Sequence, residues 1–277
     1  MSGRMIRVGL FGLGTVGAGL VRIIRKSNWP IEVVGIVDRS YHRKREISQE
    51  IPVSDDPEFL LRNSSVDVIV EVMGGIDTPL YVTREAIDQH LPVVTANKAL
   101  LAEHGYALFS RARERQVEIG FEAAVAGAIP IVRNLQTAFA YESIDLLQGI
   151  LNGTTNYILT RMRTERQNYV VVLKEAQALG LAEADPALDV NGLDATHKLC
   201  LIGSMLAKQW IDYHRIYTQG IENISLTDLV WAEKLGYRVK LVAKYENVEG
   251  ELYLSVEPVM VGPRHFLWDV ELEDNAI

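Results

Sequence analysis

One cysteine in 277 residues leaves no partner for an internal disulfide, so packing and polar networks have to hold this chain together. Cys200 stands between Leu199 and Leu201 in an apolar run, which reads as a buried thiol in a reducing compartment, and a cytoplasmic protein is expected. No apolar stretch of signal-peptide length precedes the glycines of MSGRMIRVGLFG, and no window reaches about 18 uninterrupted apolar residues, so no membrane partner is expected. Positive charge is in deficit: 28 Lys plus Arg face 36 Asp plus Glu, a net charge of -8. That field repels phosphate backbones and sets nucleic acid aside as a partner. Internal repeats, low-complexity segments and heptad runs are also missing. The single charge cluster, HRKRE from His42 to Glu46, reads as a solvated helix face.

What is present is an ordinary globular composition, 48% hydrophobic and 23% charged, in a chain long for one core. Two domains follow. From Met5 to about Leu151, short β-branched runs alternate with amphipathic stretches: IRVGLF, GTVGAGLVRIIRK, IEVVGIVD, VDVIVEV, LPVVTA and QVEIGFEAA. That alternation predicts a parallel sheet with right-handed crossovers. In the first crossover Val16, Leu20, Ile23 and Ile24 share one helical face. A helix carrying Ile131, Leu135 and Phe139 follows Pro130, and the domain boundary is placed there. Beyond it one strand (SIDLLQGIL), several helices and two late strands (KLVAKYEN, ELYLSVEPVMV) predict an α+β second domain.

The strongest local signal is Gly12-Leu13-Gly14-Thr15-Val16-Gly17, after a predicted strand and opening a predicted helix. The glycines permit a tight turn, close approach of a pyrophosphate to backbone N–H groups, and close helix packing, as in a Rossmann-type dinucleotide site. The next strand ends in Asp38-Arg39, where a carboxylate can meet ribose hydroxyls. Asp38 alone favours NAD, while Arg39, Arg43, Lys44 and Arg45 could neutralise the extra phosphate of NADP, so both remain open.

Ligands of such sheets sit beyond the carboxyl ends of the strands, so three further strand ends matter. VDVIVEV runs into Gly74-Gly75, where a flat ring or ribose could lie against bare backbone. LPVVTA runs into Asn97-Lys98. QVEIGFEAA places Glu122 before the loop from Val125 to Ile129, whose carbonyls could join a carboxylate around a hard cation.

The second domain offers GLAEADPALDVNGLDATHKLCLIGSMLA. Asn191 can cap a helix in which Asp194 and Lys198, four apart, project from one face. Exposed, such a pair is worth roughly 0.3 to 0.5 kcal/mol. The helix continues apolar nearly all round, which predicts burial, and charges at the mouth of a buried helix, with Glu183 added, predict a polar pocket.

Taken together, GLGTVG, EVMGG, TANKALLA, EAAVAGAIPIVRNL, GILNGTTNYIL and AEADPALDVNGLDATHKL resemble the homoserine dehydrogenase family in order and spacing, from roughly Ile6 to His265. The resemblance implies an α/β chain: residues 1–130 a Rossmann-type NAD(P)-binding domain, 131–277 an α+β substrate and dimerisation domain, C-terminally truncated relative to the family. It implies reversible NAD(P)H-dependent reduction of L-aspartate 4-semialdehyde to L-homoserine. Lys198 then resembles the catalytic acid/base, Lys98 a second catalytic lysine between cofactor and substrate, and Glu183 and Asp194 the substrate-binding carboxylates. The cofactor would meet Gly12, Gly14, Thr15, Val16, Gly17, Asp38, Arg39, Gly74, Lys98 and Gly180. A structural sodium ion would take Glu122 with the carbonyls of Val125, Gly127 and Ile129, and subunits would pair through the second domain's sheet as a homodimer.

The sequence departs from the family at Ala128, where a glycine is common, at His197 beside the lysine, and after the segment matching RHFLWDV, where relatives add a strand and a helix. The late strand is therefore expected to lack a partner. Two other readings stand beside this one: a dehydrogenase of another small polar hydroxy compound, and a non-catalytic nucleotide-binding protein.

Overall fold

The computed structural model describes residues 4–40 and 50–277; the Arg43, Lys44 and Arg45 of the basic cluster lie outside the described residues. The chain divides into two units, the first ending at Ala124 and the second beginning at Val125.

The first unit is a six-stranded sheet in the order β3-β2-β1-β4-β5-β6, every neighbouring pair parallel. Its strands are β1 (Ile6–Phe11), β2 (Ile31–Val37), β3 (Val53–Ser54), β4 (Val68–Glu71), β5 (Val93–Thr95) and β6 (Ile119–Gly120). The described helices between them are α1 (Thr15–Lys26), α2 (Glu58–Leu61), α3 (Asp77–Asp88) and α4 (Lys98–Arg115). The near-continuous apolar runs of β1 and β4 suit strands covered on both faces. Strand order reverses between β1 and β4, and a crevice opens at that switch point in sheets of this kind.

Helix α1 differs from its expected packing. Gly17, Ala18, Val21 and Ile24 are buried, whereas Val16 and Ile23 are more than half exposed. The sheet meets the small residues because Gly17 is pressed against the Gly12 carbonyl; a Cβ there would stand 2.0 Å from that oxygen. The buried stripe is therefore rotated from the most apolar one.

The second unit opens with α5 (Ile131–Gln136), which ends before Phe139; that ring is exposed. Next come β7 (Leu146–Gly149), α6 (Gly153–Glu165), α7 (Tyr169–Ala178), α8 (Ala187–Val190), α9 (Leu193–Ala207), β8 (Tyr217–Thr218), α10 (Leu226–Lys234), β9 (Arg238–Val248) and β10 (Glu251–Val261). The sheet order is β7-β9-β10-β8. Strands β9 and β10 form an antiparallel hairpin closed by Glu249 and Gly250, both at positive φ (54° and 94°), the turn that matches strand twist. The last long strand does have a second partner: β8 pairs parallel with it at Ser255–Val256. A segment of Tyr217 and Thr218, too short for a sequence pattern to reveal, supplies that pairing.

Candidate active site

In the first unit the site is made largely of backbone. Gly12 closes β1 at φ +100°, and a Cβ there would stand 2.7 Å from the Val72 carbonyl oxygen, so only glycine fits. Gly14, by contrast, faces open space, with no atom within 4 Å of where a Cβ would sit. It is the N-cap of α1 and makes no side-chain cap; the first turn carries no acid. The free N–H groups and the positive end of the helix dipole thus meet whatever anion arrives, beside the exposed Thr15 and Val16.

Asp38 follows β2 and is half-buried. Its Oδ2 accepts from the Leu13 N–H at 2.6 Å and its Oδ1 from the Ser40 N–H at 2.6 Å. The carboxylate therefore braces the glycine loop from the side, a role that spacing alone does not reveal. Arg39 is exposed beside it.

At the ends of β4 and β5 the structure brings two expected segments together. Gly74 and Gly75 are exposed with open space above them, Gly75 at φ +81°. Lys98 is the first residue of α4, whose N-cap, Asn97, accepts from the Leu100 N–H and donates through Nδ2 to the Gly75 carbonyl at 2.8 Å. Beneath them Glu71 is fully buried, which the sequence reading missed; an acid inside an apolar strand, three residues before a glycine pair, was the available signal. Glu122 lies in a one-turn helix, Glu122–Ala124, at the close of this unit, and Val125, Gly127 and Ile129 open the next.

The second unit builds its site from side chains. Lys198 donates from Nζ to Asp194 Oδ2 at 2.7 Å and to the Leu151 carbonyl at 2.6 Å. Both side chains are largely buried, 15% and 7% exposed, which removes the pair from the weak class of surface ion pairs. Breaking it would strand one charge in a poorly solvated place. The helix begins one residue later than Asn191 predicts: Gly192 is the N-cap, at φ +87°, and Asn191 Oδ1 instead accepts from the Leu193 N–H at 2.9 Å. The left-handed backbone at 192 turns the chain sharply into α9 and shifts the boundary.

Asn152 joins this site unannounced. Asn152, the N-cap of α6, is buried, accepts from the Thr155 N–H, and donates from Nδ2 to both Asp194 Oδ2 and Asp189 Oδ1, each at 2.8 Å. The turn from β7 into α6 therefore holds the lysine with one residue and the aspartates with the next. Asparagine before a glycine at a helix start was a legible cap; its second role was not. Gly180, at φ +74°, ends the turn after α7, and Thr154 Oγ1 donates to the next carbonyl, Leu181, at 2.7 Å. Glu183 is exposed, with its carbonyl accepting from Gln177 Nε2.

The same two-part division appears in comparison with known proteins. The family described as "Homoserine dehydrogenase, NAD binding domain" matches residues 12–122, and the one described as "Homoserine dehydrogenase" matches residues 130–277. The chain belongs to the homoserine dehydrogenase family. It is 37% identical to homoserine dehydrogenase of Bacillus subtilis over 290 residues, covering 99% of this chain and 65% of that protein. With the Pseudomonas aeruginosa enzyme it shares 37% over 280 residues, 98% of this chain and 64% of the relative. This chain thus spans just under two thirds of the length of these curated relatives. Among solved structures, a homoserine dehydrogenase from Thiobacillus denitrificans aligns with a TM-score of 0.94 at 36% identity, over 98% of this chain and 64% of that one. The homoserine dehydrogenase of S. aureus at pH 6.0 aligns at 0.84 and 36%, over 99% and 71%. Among the described residues no helix is long and apolar enough to cross a membrane.

Proposed function

We propose that this homoserine dehydrogenase family member reduces L-aspartate 4-semialdehyde to L-homoserine with NAD(P)H, reversibly. The observation that carries the reading is the buried Asp194–Lys198 pair held by the Leu151–Asn152 turn, in a chain whose other unit presents a dinucleotide loop.

The residues of the first unit fit a dinucleotide: a glycine with open space at Gly14, an uncompensated helix N-terminus, and bare backbone at Gly74–Gly75. A bound nicotinamide supplies the hydride. Gly12, Gly14, Thr15, Val16 and Gly17 would hold the pyrophosphate, Asp38 and Arg39 the adenosine end, and Gly74 and Lys98 the other end, with Gly180 as a backbone contact.

Lys198 is suited to give the proton. An ammonium has three N–H bonds; two are directed at Asp194 and Leu151, and that fixes the line of the third. A carbonyl oxygen on that line is polarised as negative charge develops and takes the proton when the alkoxide forms. In the reverse direction the amine accepts it back. Asp194 aims the lysine and, with Glu183, would hold the substrate's ammonium group. The sodium ion at Glu122, Val125, Gly127 and Ile129, the homodimer and a cytoplasmic setting belong to the same proposal through the resemblance. Exposed Leu146, Tyr253 and Met260 on the second unit's strands give a dimer apolar surface to cover.

The test is homoserine oxidation with NAD and with NADP, followed by nicotinamide absorbance, in parent and Lys198→Ala. Loss of a general acid is expected to lower turnover roughly 100-fold or more while dinucleotide binding persists. A folded variant that keeps most of its turnover would remove Lys198 from the chemistry.

A further inference from the structure

The first unit contains a carboxylate that the proposed reaction does not use. Glu71 ends β4 with no exposed surface, and burial pushes its carboxyl above the ordinary range against the opposing hydrogen bonds of Thr95, Met73 and Asn97. Its Oε2 accepts from Thr95 Oγ1 at 2.5 Å and its Oε1 from the Met73 N–H at 2.7 Å. The same Thr95 oxygen, also fully buried, accepts the Asn97 N–H at 2.9 Å. Asn97 then reaches the Gly75 carbonyl with its amide and the Leu100 N–H with its carbonyl oxygen.

These bonds form a loop. They run from the end of β4 across to the end of β5, into the first turn of α4, and back to the glycine pair that follows β4. Every donor named to Glu71 is neutral. A buried carboxylate without a cation is an expensive way to join two strand ends, and an apolar or amide side chain would serve the sheet better. Its gain is geometric: a carboxylate accepts at both oxygens, so one side chain fixes the Met73 amide and the Thr95 hydroxyl together.

The two strand ends it joins lie on one side of the switch point. A dinucleotide spans that crevice with its adenosine half over β1 and β2, where Asp38 stands, and its other half over β4 and β5. We propose that Glu71, acting through Thr95 and Asn97, is a positioning residue for the nicotinamide half of the cofactor, setting the Gly74–Gly75 loop and Lys98 in one fixed arrangement. The inference rests on the dinucleotide reading of this unit.

The two halves of the ligand provide the test. NADH and ADP-ribose are titrated against parent, Thr95→Val, Thr95→Ser and Glu71→Gln, with folding followed by circular dichroism. Thr95→Val removes the hydroxyl at nearly constant shape and is expected to weaken NADH roughly three- to tenfold, the worth of one or two hydrogen bonds. ADP-ribose affinity should stay at the parental value, and Thr95→Ser should restore NADH. Glu71→Gln, which keeps the shape but not the double acceptor, should behave as Thr95→Val does and serves if the valine variant does not fold. Proportional loss of both ligands in a folded variant, or no loss of either, overturns the inference. A parent that binds neither ligand overturns the dinucleotide reading itself.

Discussion

The two units of this chain make polar sites by opposite means. In the first, the groups proposed to meet a ligand are peptide groups laid bare by glycine, and the charged side chains stand behind them: Asp38 braces Leu13, and Glu71 braces the Gly74–Gly75 loop through Thr95 and Asn97. In the second, the groups proposed to react are side chains, Asp194 and Lys198, and backbone and amide stand behind them at Leu151 and Asn152. A backbone site is specified by a few residues in a row. A side-chain site of this kind joins positions 37 to 47 residues apart and exists only once the tertiary structure does. The first depends on backbone left bare at its glycines; the second depends on the hydrogen bonds that join Asn152, Asp194 and Lys198.

The most severe way to probe that contrast is a methyl group at a glycine. At Gly17 the new Cβ would stand 2.0 Å from the Gly12 carbonyl oxygen, so helix or strand has to move. Gly17→Ala is expected to destabilise by about 1 to 3 kcal/mol or more, as overpacking does, and to abolish dinucleotide binding. At Gly14 the same methyl meets nothing, so Gly14→Ala should leave thermal unfolding near the parent's and weaken only the ligand. Equal losses of stability in the two variants would erase the distinction between a glycine kept for packing and one kept for approach.

A smaller effect is expected where the second unit is cut at its neutral link. Asn152→Ser keeps an oxygen for the α6 cap but removes the amide shared by Asp189 and Asp194. Homoserine turnover should fall about tenfold, from misdirection of the Asp194–Lys198 pair, with dinucleotide affinity unchanged. Steady-state kinetics beside a nucleotide titration gives both numbers. Parental turnover in the serine variant would show that Asp194 needs no second anchor.

How much of this was legible beforehand follows the same division. The glycine loop, the acid after β2 and the parallel sheet are local or periodic signals, and they placed Gly12, Gly14, Gly17 and Asp38 at the rim. The stripe of α1 was misjudged because apolar residues were counted where the sheet required small ones, at Gly17 and Ala18. Burial of α9 was readable from its apolar surround. The proton-donor role proposed for Lys198 came only from family resemblance, since an acid four residues before a lysine has the same spacing on any surface helix. Glu71 and Asn152 stayed hidden because their partners lie 24 and 42 residues away, at Thr95 and Asp194, and nothing periodic links them. Strand β8 escaped because two residues make no pattern.

A pH titration tests whether the second unit's reliance on buried charge extends beyond its site. Lys240 on β9 is 2% exposed and donates to Asn156 Oδ1 and the Val270 carbonyl. Burial pushes its pKa down to about 8, opposed by Glu271 and helped by Arg163 and Arg238. A lysine whose folded value lies below its unfolded one binds fewer protons folded than unfolded between the two, so stability rises with pH across that window. Its contribution is complete above about pH 10.5 and is lost as pH falls through about 8. Lys240→Met removes the titration along with two hydrogen bonds that do not titrate. Urea unfolding of both proteins from pH 7 to pH 10 should show the parent gaining on the variant by at most about 1.4 kcal/mol per pH unit above pH 8. Cys200, which burial raises to about 12, and the tyrosines titrate alike in both proteins and cancel in the difference. Parallel pH profiles would mean that Lys240 keeps its proton in the folded chain, with Glu271 outweighing burial, and that the second unit holds this charge as an ion pair.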